Sequence, residues 1–150
     1  MRAIIQRVSK ASVHIEEKTS GKIGTGLLIL LGIVDSDTEE DIEWLVGKII
    51  RMRVFSDDDG KMNKSLEDID GELLIVSQFT LHASTRKGNR PSFIKAARPE
   101  TAIPLYQTFL QKAGTATGKP CACGEFGADM QVSLINDGPV TIMIDTQSRE

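Results

Sequence analysis

Leu27-Leu28-Ile29-Leu30-Leu31-Gly32-Ile33-Val34 decides the fold class. A strand with one wet face alternates apolar and polar residues. This run has no polar face, so it reads as a central strand covered on both sides. Leu73-Leu74-Ile75-Val76 is a second buried run of the same kind. Working outward, Ala3 to Val8 and Ala11 to Ile15 read as two strands joined tightly at Ser9-Lys10. In the second, Ala11, Val13 and Ile15 share one face, and Ser12, His14 and Glu16 the other. Ser36 with Glu39 matches a capping box. After it, Ile42, Leu45, Val46, Ile49 and Ile50 fall on a single helical stripe.

A second helix is predicted from near Pro99, with Ala102, Leu105, Tyr106, Phe109, Leu110 and Ala113 facing the core and Gly114 as its stop. Gly118 to Gly127 reads as irregular. Met130, Val132 and Leu134 alternate as a strand, and so do Val140, Ile142 and Ile144. The expected fold is α/β: one compact domain spanning 1–150, with helices packed over a largely buried β-sheet and no internal repeat or linker.

With 40% hydrophobic and 26% charged residues, the composition is that of a soluble globular protein. A net charge of −3 argues against a generic polyanion binder, so any nucleic-acid contact needs a local basic patch. Met1-Arg2-Ala3-Ile4-Ile5-Gln6-Arg7 turns polar too early for a signal peptide, and no apolar run is long enough to span a bilayer. A cytoplasmic protein without a membrane anchor is expected. Cys121 and Cys123 stand one residue apart, an awkward spacing for a mutual disulfide, and are read as reduced thiols. They lack the histidines that a zinc site would add, and Asp57-Asp58-Asp59-Gly60 lacks calcium-loop spacing. Neither a metal nor a cofactor is expected.

Three segments could carry chemistry. Ser77-Gln78-Phe79-Thr80-Leu81 ends an apolar strand, where backbone N–H groups leaving the ladder can face a developing oxyanion. Taken alone, it equally suits an ordinary polar strand end. His82 shares a face with Thr80 if the strand continues, yet nothing marks a third triad partner. Asn136-Asp137-Gly138-Pro139-Val140-Thr141 reads by itself as a hairpin turn between alternating strands. The functional alternative requires a cis Gly138-Pro139 bond acting as a rigid selector. Arg86, Lys87 and Arg90, with Lys61 and Lys64, suit either phosphate contacts or a solvated charged surface.

Together, and in this order, the segments resemble the two signature motifs of the D-aminoacyl-tRNA deacylase family. Gln6-Arg7-Val8, Gly60-Lys61-Met62-Asn63 and Gly88-Asn89-Arg90-Pro91-Ser92-Phe93 support the resemblance, which covers essentially the whole chain. It implies a homodimer with active sites at the subunit interface and an aminoacylated tRNA as substrate. It places the ester-cleaving corner on Ser77, Gln78, Phe79 and Thr80. It assigns chiral selection to Gly138 and Pro139, inserted cis into the neighbouring subunit's site, and the brace of that element to Arg7. From their positions, Lys61, Lys64, Arg86, Lys87 and Arg90 are expected to contact tRNA phosphates. The competing readings are a non-catalytic RNA- or nucleotide-binding module and a small-ester hydrolase.

Overall fold

The structure is a computed structural model describing residues 1–150. Its elements are β1 (Arg2–Ile15), β2 (Lys18–Ile23), β3 (Gly26–Gly32), α1 (Glu39–Arg51), β4 (Phe55–Ser56), β5 (Met62–Lys64), β6 (Glu72–Ser77), a 3-10 turn (Phe79–His82), α2 (Pro99–Thr117), β7 (Ala122–Cys123) and β8 (Gln131–Asp145). The main sheet runs β2-β1-β3-β6-β7, with β8 along the other edge of β1. β1 is antiparallel to β2, β3 and β8, whereas β3 and β6 are parallel.

The all-apolar β3 is covered on both faces. Leu27, Ile29 and Leu31 join Ala3, Ile5 and Ile75 under the helices, against Ile42, Leu45, Ile49, Tyr106 and Phe109. Leu28 faces a second core with Val8, Ala11, Val13, Ile23, Leu74 and Val76. That second core exists because the sheet curls: β2 approaches β7 closely enough for Ser20 Oγ to donate to the Cys123 carbonyl at 3.1 Å. Tyr106 ties α2 to the sheet by donating its hydroxyl to the Ile75 carbonyl at 2.8 Å.

Several sequence-based boundaries move. Ser9-Lys10 is not a connection; β1 is a single strand whose pairing with β8 slips between Val8 and Lys10. The slip changes the parity of the inward residues from Val8 to Ala11 and Val13, keeping both halves apolar inward. The cap of α1 is Thr38, whose N–H donates to the Asp41 carboxylate at 2.9 Å, not Ser36 with Glu39. At Ser36 the chain is still turning, closed by the Val34 N–H on the Asp37 carboxylate at 2.8 Å. α2 continues past Gly114 to Gly118, whose positive φ of 74° supplies the left-handed stop.

Candidate active site

β6 ends at Ser77, level with Leu31 of β3, and the Gln78 N–H makes the last tie by donating to the Leu31 carbonyl at 2.8 Å. The chain then tightens into the 3-10 turn instead of continuing extended. The strand does not continue, so the condition under which Thr80 and His82 would share a face is not met. The first N–H groups of such a turn find no acceptor within it, so those of Phe79 and Thr80 are directed outside the turn. The Gln78 side-chain amide donates to the Thr80 hydroxyl oxygen.

Phe79 is 54% exposed and meets Phe93 edge-on, with ring centroids 5.1 Å apart. Ser77, Gln78 and Phe79 open into a cleft of about 240 Å³, whose opposite wall includes Phe126, Ala128 and Met130. Phe126 therefore lines this cleft and also leans on Tyr106, 5.9 Å away.

No base reaches Thr80. His82 is 6% exposed, its Nε2 has no hydrogen-bond partner, and its ring lies against Gly32, where a Cβ would come within 3.1 Å of that nitrogen. Burial pushes its pKa below the ordinary value, and Arg2 and the Met1 ammonium push the same way. The Gly32 backbone and Asp37 oppose them. A neutral imidazole turned toward Gly32 is a packed side chain rather than a triad member. Cys121 is free, and burial raises its thiol to about 11, far from thiolate chemistry at neutral pH. No cluster of three His, Cys, Asp or Glu residues is placed to hold a metal.

The second motif is a bulge in a continuous strand, which corrects the hairpin reading. Both flanks of Asn136–Val140 pair with β1: Asn136 with Val8, and Thr141 with Gln6. Asp137, Gly138, Pro139 and Val140 therefore stand opposite Arg7 alone. The Gly138-Pro139 peptide is cis. Asn136 staples the bulge shut: its amide donates to Thr141 Oγ1 at 2.8 Å, and its carbonyl accepts from the Val140 N–H at 2.7 Å. Arg7 holds the bulge from below. Its Nε donates to the Asp137 carbonyl and its Nη1 to the Val54 carbonyl, each at 2.7 Å. A Cβ on Gly138 would lie 3.0 Å from the Arg7 guanidinium, and φ there is 140°, so only glycine fits this brace.

The two motifs do not meet within one chain. Pro139 is level with Arg7, whereas Ser77 pairs with Leu31 and is therefore level with Ala3. Four residues of strand separate these levels, about 13 Å, and three strand spacings add about 14 Å sideways. The basic residues divide in the same way. Arg86, Lys87 and Arg90 are exposed on the loop after the corner, pinched shut by the Ser84–Ser92 bridge, and join no ion pair. Lys61 and Lys64 lie on the β4–β5 hairpin, beyond the Val54 carbonyl that Arg7 holds, and Lys64 approaches Asp58 at 3.8 Å.

The chain thus presents a solvent-open corner at the end of β6 and, remote from it, a rigid bulge in β8. The family model described as D-Tyr-tRNA(Tyr) deacylase matches residues 4–145. A D-aminoacyl-tRNA deacylase of Akkermansia muciniphila is 63% identical over 150 residues, and one of Flavobacterium johnsoniae 58%, each covering 100% of both chains. A solved structure described as c-Myc DNA Unwinding Element Binding Protein superposes with a TM-score of 0.90 at 42% identity, covering 97% of this chain and 98% of its own. The structure of a probable eukaryotic D-amino acid tRNA deacylase shares the fold, with a TM-score of 0.83 at 20% identity over 95% of this chain and 97% of its own. The chain belongs to the D-aminoacyl-tRNA deacylase family of hydrolases.

Proposed function

We propose that the protein hydrolyses the ester of D-aminoacyl-tRNA, releasing D-amino acid and tRNA, and spares L-aminoacyl-tRNA through a gate made by Gly138-Pro139. The observation that carries this reading is the open Ser77–Thr80 corner in a chain matched to the deacylase family from residue 4 to 145. The Phe79 and Thr80 N–H groups stabilise the oxyanion. The 2′-hydroxyl of the terminal adenosine assists the cleavage, because the Thr80 oxygen accepts from Gln78 and no side chain is placed to take its proton.

Selection is steric. Inverting Cα redirects the side chain into a fixed obstacle, so one backbone element rejects every L side chain, while glycine, having none, enters. A site that sorts many side chains cannot rely on affinity for one of them. The obstacle has to be stiff, and the Arg7 and Asn136 hydrogen bonds make it so.

The active unit is a homodimer. An obstacle displaced from its own corner by about 13 Å along the strands and about 14 Å across them can guard only a second copy's corner. Pairing the two ends would also bring the Lys61 and Lys64 hairpin of one subunit toward the Arg86-to-Arg90 loop of the other, forming one basic face for tRNA phosphates. Such a substrate places the protein in the cytoplasm.

A non-catalytic nucleic-acid-binding module is the alternative, and the DNA-binding description of the 42% identical structure keeps it open. Incubation with D-tyrosyl-tRNA and with a simple tyrosyl ester separates the readings. The deacylase clears the first faster than the second. A binding module clears neither, and a general esterase clears both equally.

A further inference from the structure

A second cleft, of about 460 Å³, lies at the opposite end of the sheet from the corner, where β1, β2 and β8 run side by side. Its floor is the sheet backbone at Ala11, Ile23 and Leu134, whose side chains turn to the other face into the second core, and the exposed Ile135 adds an apolar margin. Its polar wall is Lys10, Ser12, His14, Thr19, Lys22 and Ser133, with no carboxylate among the lining residues. In a chain of net charge −3, a wall with two lysines and no carboxylate is not a consequence of composition.

The groups are set on rigid strands. Ser12 is the direct cross-strand partner of both Lys22 and Ser133, so a lysine and two hydroxyls form one rung about 5 Å per step. Lys10 lies two residues along β1 on the same face as Ser12. His14 is held by the Thr19 hydroxyl at 3.0 Å. Lys10 and Lys22 are exposed, and neither takes part in an ion pair. Unpaired ammonium groups beside hydroxyl donors, in an open trough without a base-reading fork, suit phosphate oxygens along a nucleic-acid backbone.

We propose that this cleft binds backbone phosphates of the tRNA substrate, on the subunit that lends its Gly138-Pro139 bulge. The proposal rests on the deacylase reading above. Along β1, Ser12 is four residues from Val8, the level of Asn136, which is about 13 Å. It is nine residues from Ala3, the level of its own corner, or about 30 Å of strand. When the bulge of one subunit reaches the corner of the other, this cleft follows it. RNA leaving the ester then passes over Lys10 and Lys22 of the gate-donating subunit.

The test is the double variant Lys10→Ala/Lys22→Ala in the full chain, with its melting temperature checked against the unaltered protein. Binding of uncharged tRNA is titrated between 50 and 200 mM salt. Hydrolysis of 3′-O-(D-tyrosyl)adenosine, which has no acceptor stem, is measured in parallel. Expected are an approximately tenfold or larger loss of tRNA affinity at low salt, a salt slope smaller by about one to two, and unchanged turnover of the stemless ester. Unchanged tRNA affinity and slope overturn the proposal. So does loss of inorganic-phosphate binding with tRNA binding intact, which would make the cleft a site for free phosphate. Failure of the deacylase reading itself shows separately, as an unaltered protein that leaves the stemless ester intact.

Discussion

Arg7 Nε donates to the Asp137 carbonyl at 2.7 Å across the strand pair, while its other arm holds Val54. One planar guanidinium thus fixes the bulge carrying Gly138-Pro139 to the body of the fold, with a side chain only 12% exposed. Hydrogen bonds from a charged donor are worth about 1.5–3 kcal/mol each. Lysine offers no fork to span both carbonyls. In Arg7→Lys, the ratio of kcat/KM for D- over L-tyrosyl-tRNA is expected to fall by about tenfold or more, with the loss coming from faster L-substrate hydrolysis. An unchanged ratio would remove Arg7 from chiral selection.

The Thr80 hydroxyl accepts from Gln78, and no base stands near it to receive its proton. Thr80→Val is therefore expected to keep kcat within about tenfold of the unaltered enzyme, whereas loss of an essential group typically costs several powers of ten. A tRNA ending in 2′-deoxyadenosine should be hydrolysed far more slowly. Complete loss of activity in a folded Thr80→Val variant would make Thr80 the nucleophile.

His82 gives a stability signature on the acid side. Its folded pKa is depressed by burial, so the native state resists a proton that the unfolded chain accepts near its ordinary value of about 6.5. The stability linked to neutral His82 is present above that pH and lost as pH falls through it toward the depressed value. One proton sets a ceiling of about 1.4 kcal/mol per pH unit. Denaturant titrations between pH 7.5 and 5 should show a shallower acid slope for His82→Leu than for the unaltered protein. Equal slopes would mean that His82 titrates freely in the fold.

The proposed gate stands too far from the corner of its own chain to guard it, so the proposed mechanism depends on dimerisation. Light scattering is expected to give twice the 16.4 kDa chain mass at working concentration. Specific activity should fall on dilution as dimers separate. A monomer with full turnover and full chiral selectivity would contradict the cross-subunit site.

The architecture was legible where burial imposes a period. The unbroken apolar run of β3, the stripe of α1 and the alternation on each side of the bulge all lie where the sequence places them. What escaped is what the partner strand decides. Asn136-Asp137-Gly138-Pro139 has the composition of a hairpin turn. It becomes a bulge because both flanks find their partner in β1, which no local pattern announces. The same cause hides the slip at Ser9-Lys10. A continued strand would set His82 on the face of Thr80, but the 3-10 turn rotates it inward onto Gly32, where the missing Cβ leaves room. The corner and bulge residues could be picked out along the chain. Their separation could not, because it depends on the register of four strands.

Turnover of D-tyrosyl-tRNA, L-tyrosyl-tRNA and glycyl-tRNA by one preparation tests steric selection by a backbone gate most directly. The D-tyrosyl and glycyl esters should be hydrolysed and the L-tyrosyl ester spared. Hydrolysis of L-tyrosyl-tRNA at the rate of its D counterpart, or glycyl-tRNA left intact at every enzyme concentration, would contradict it.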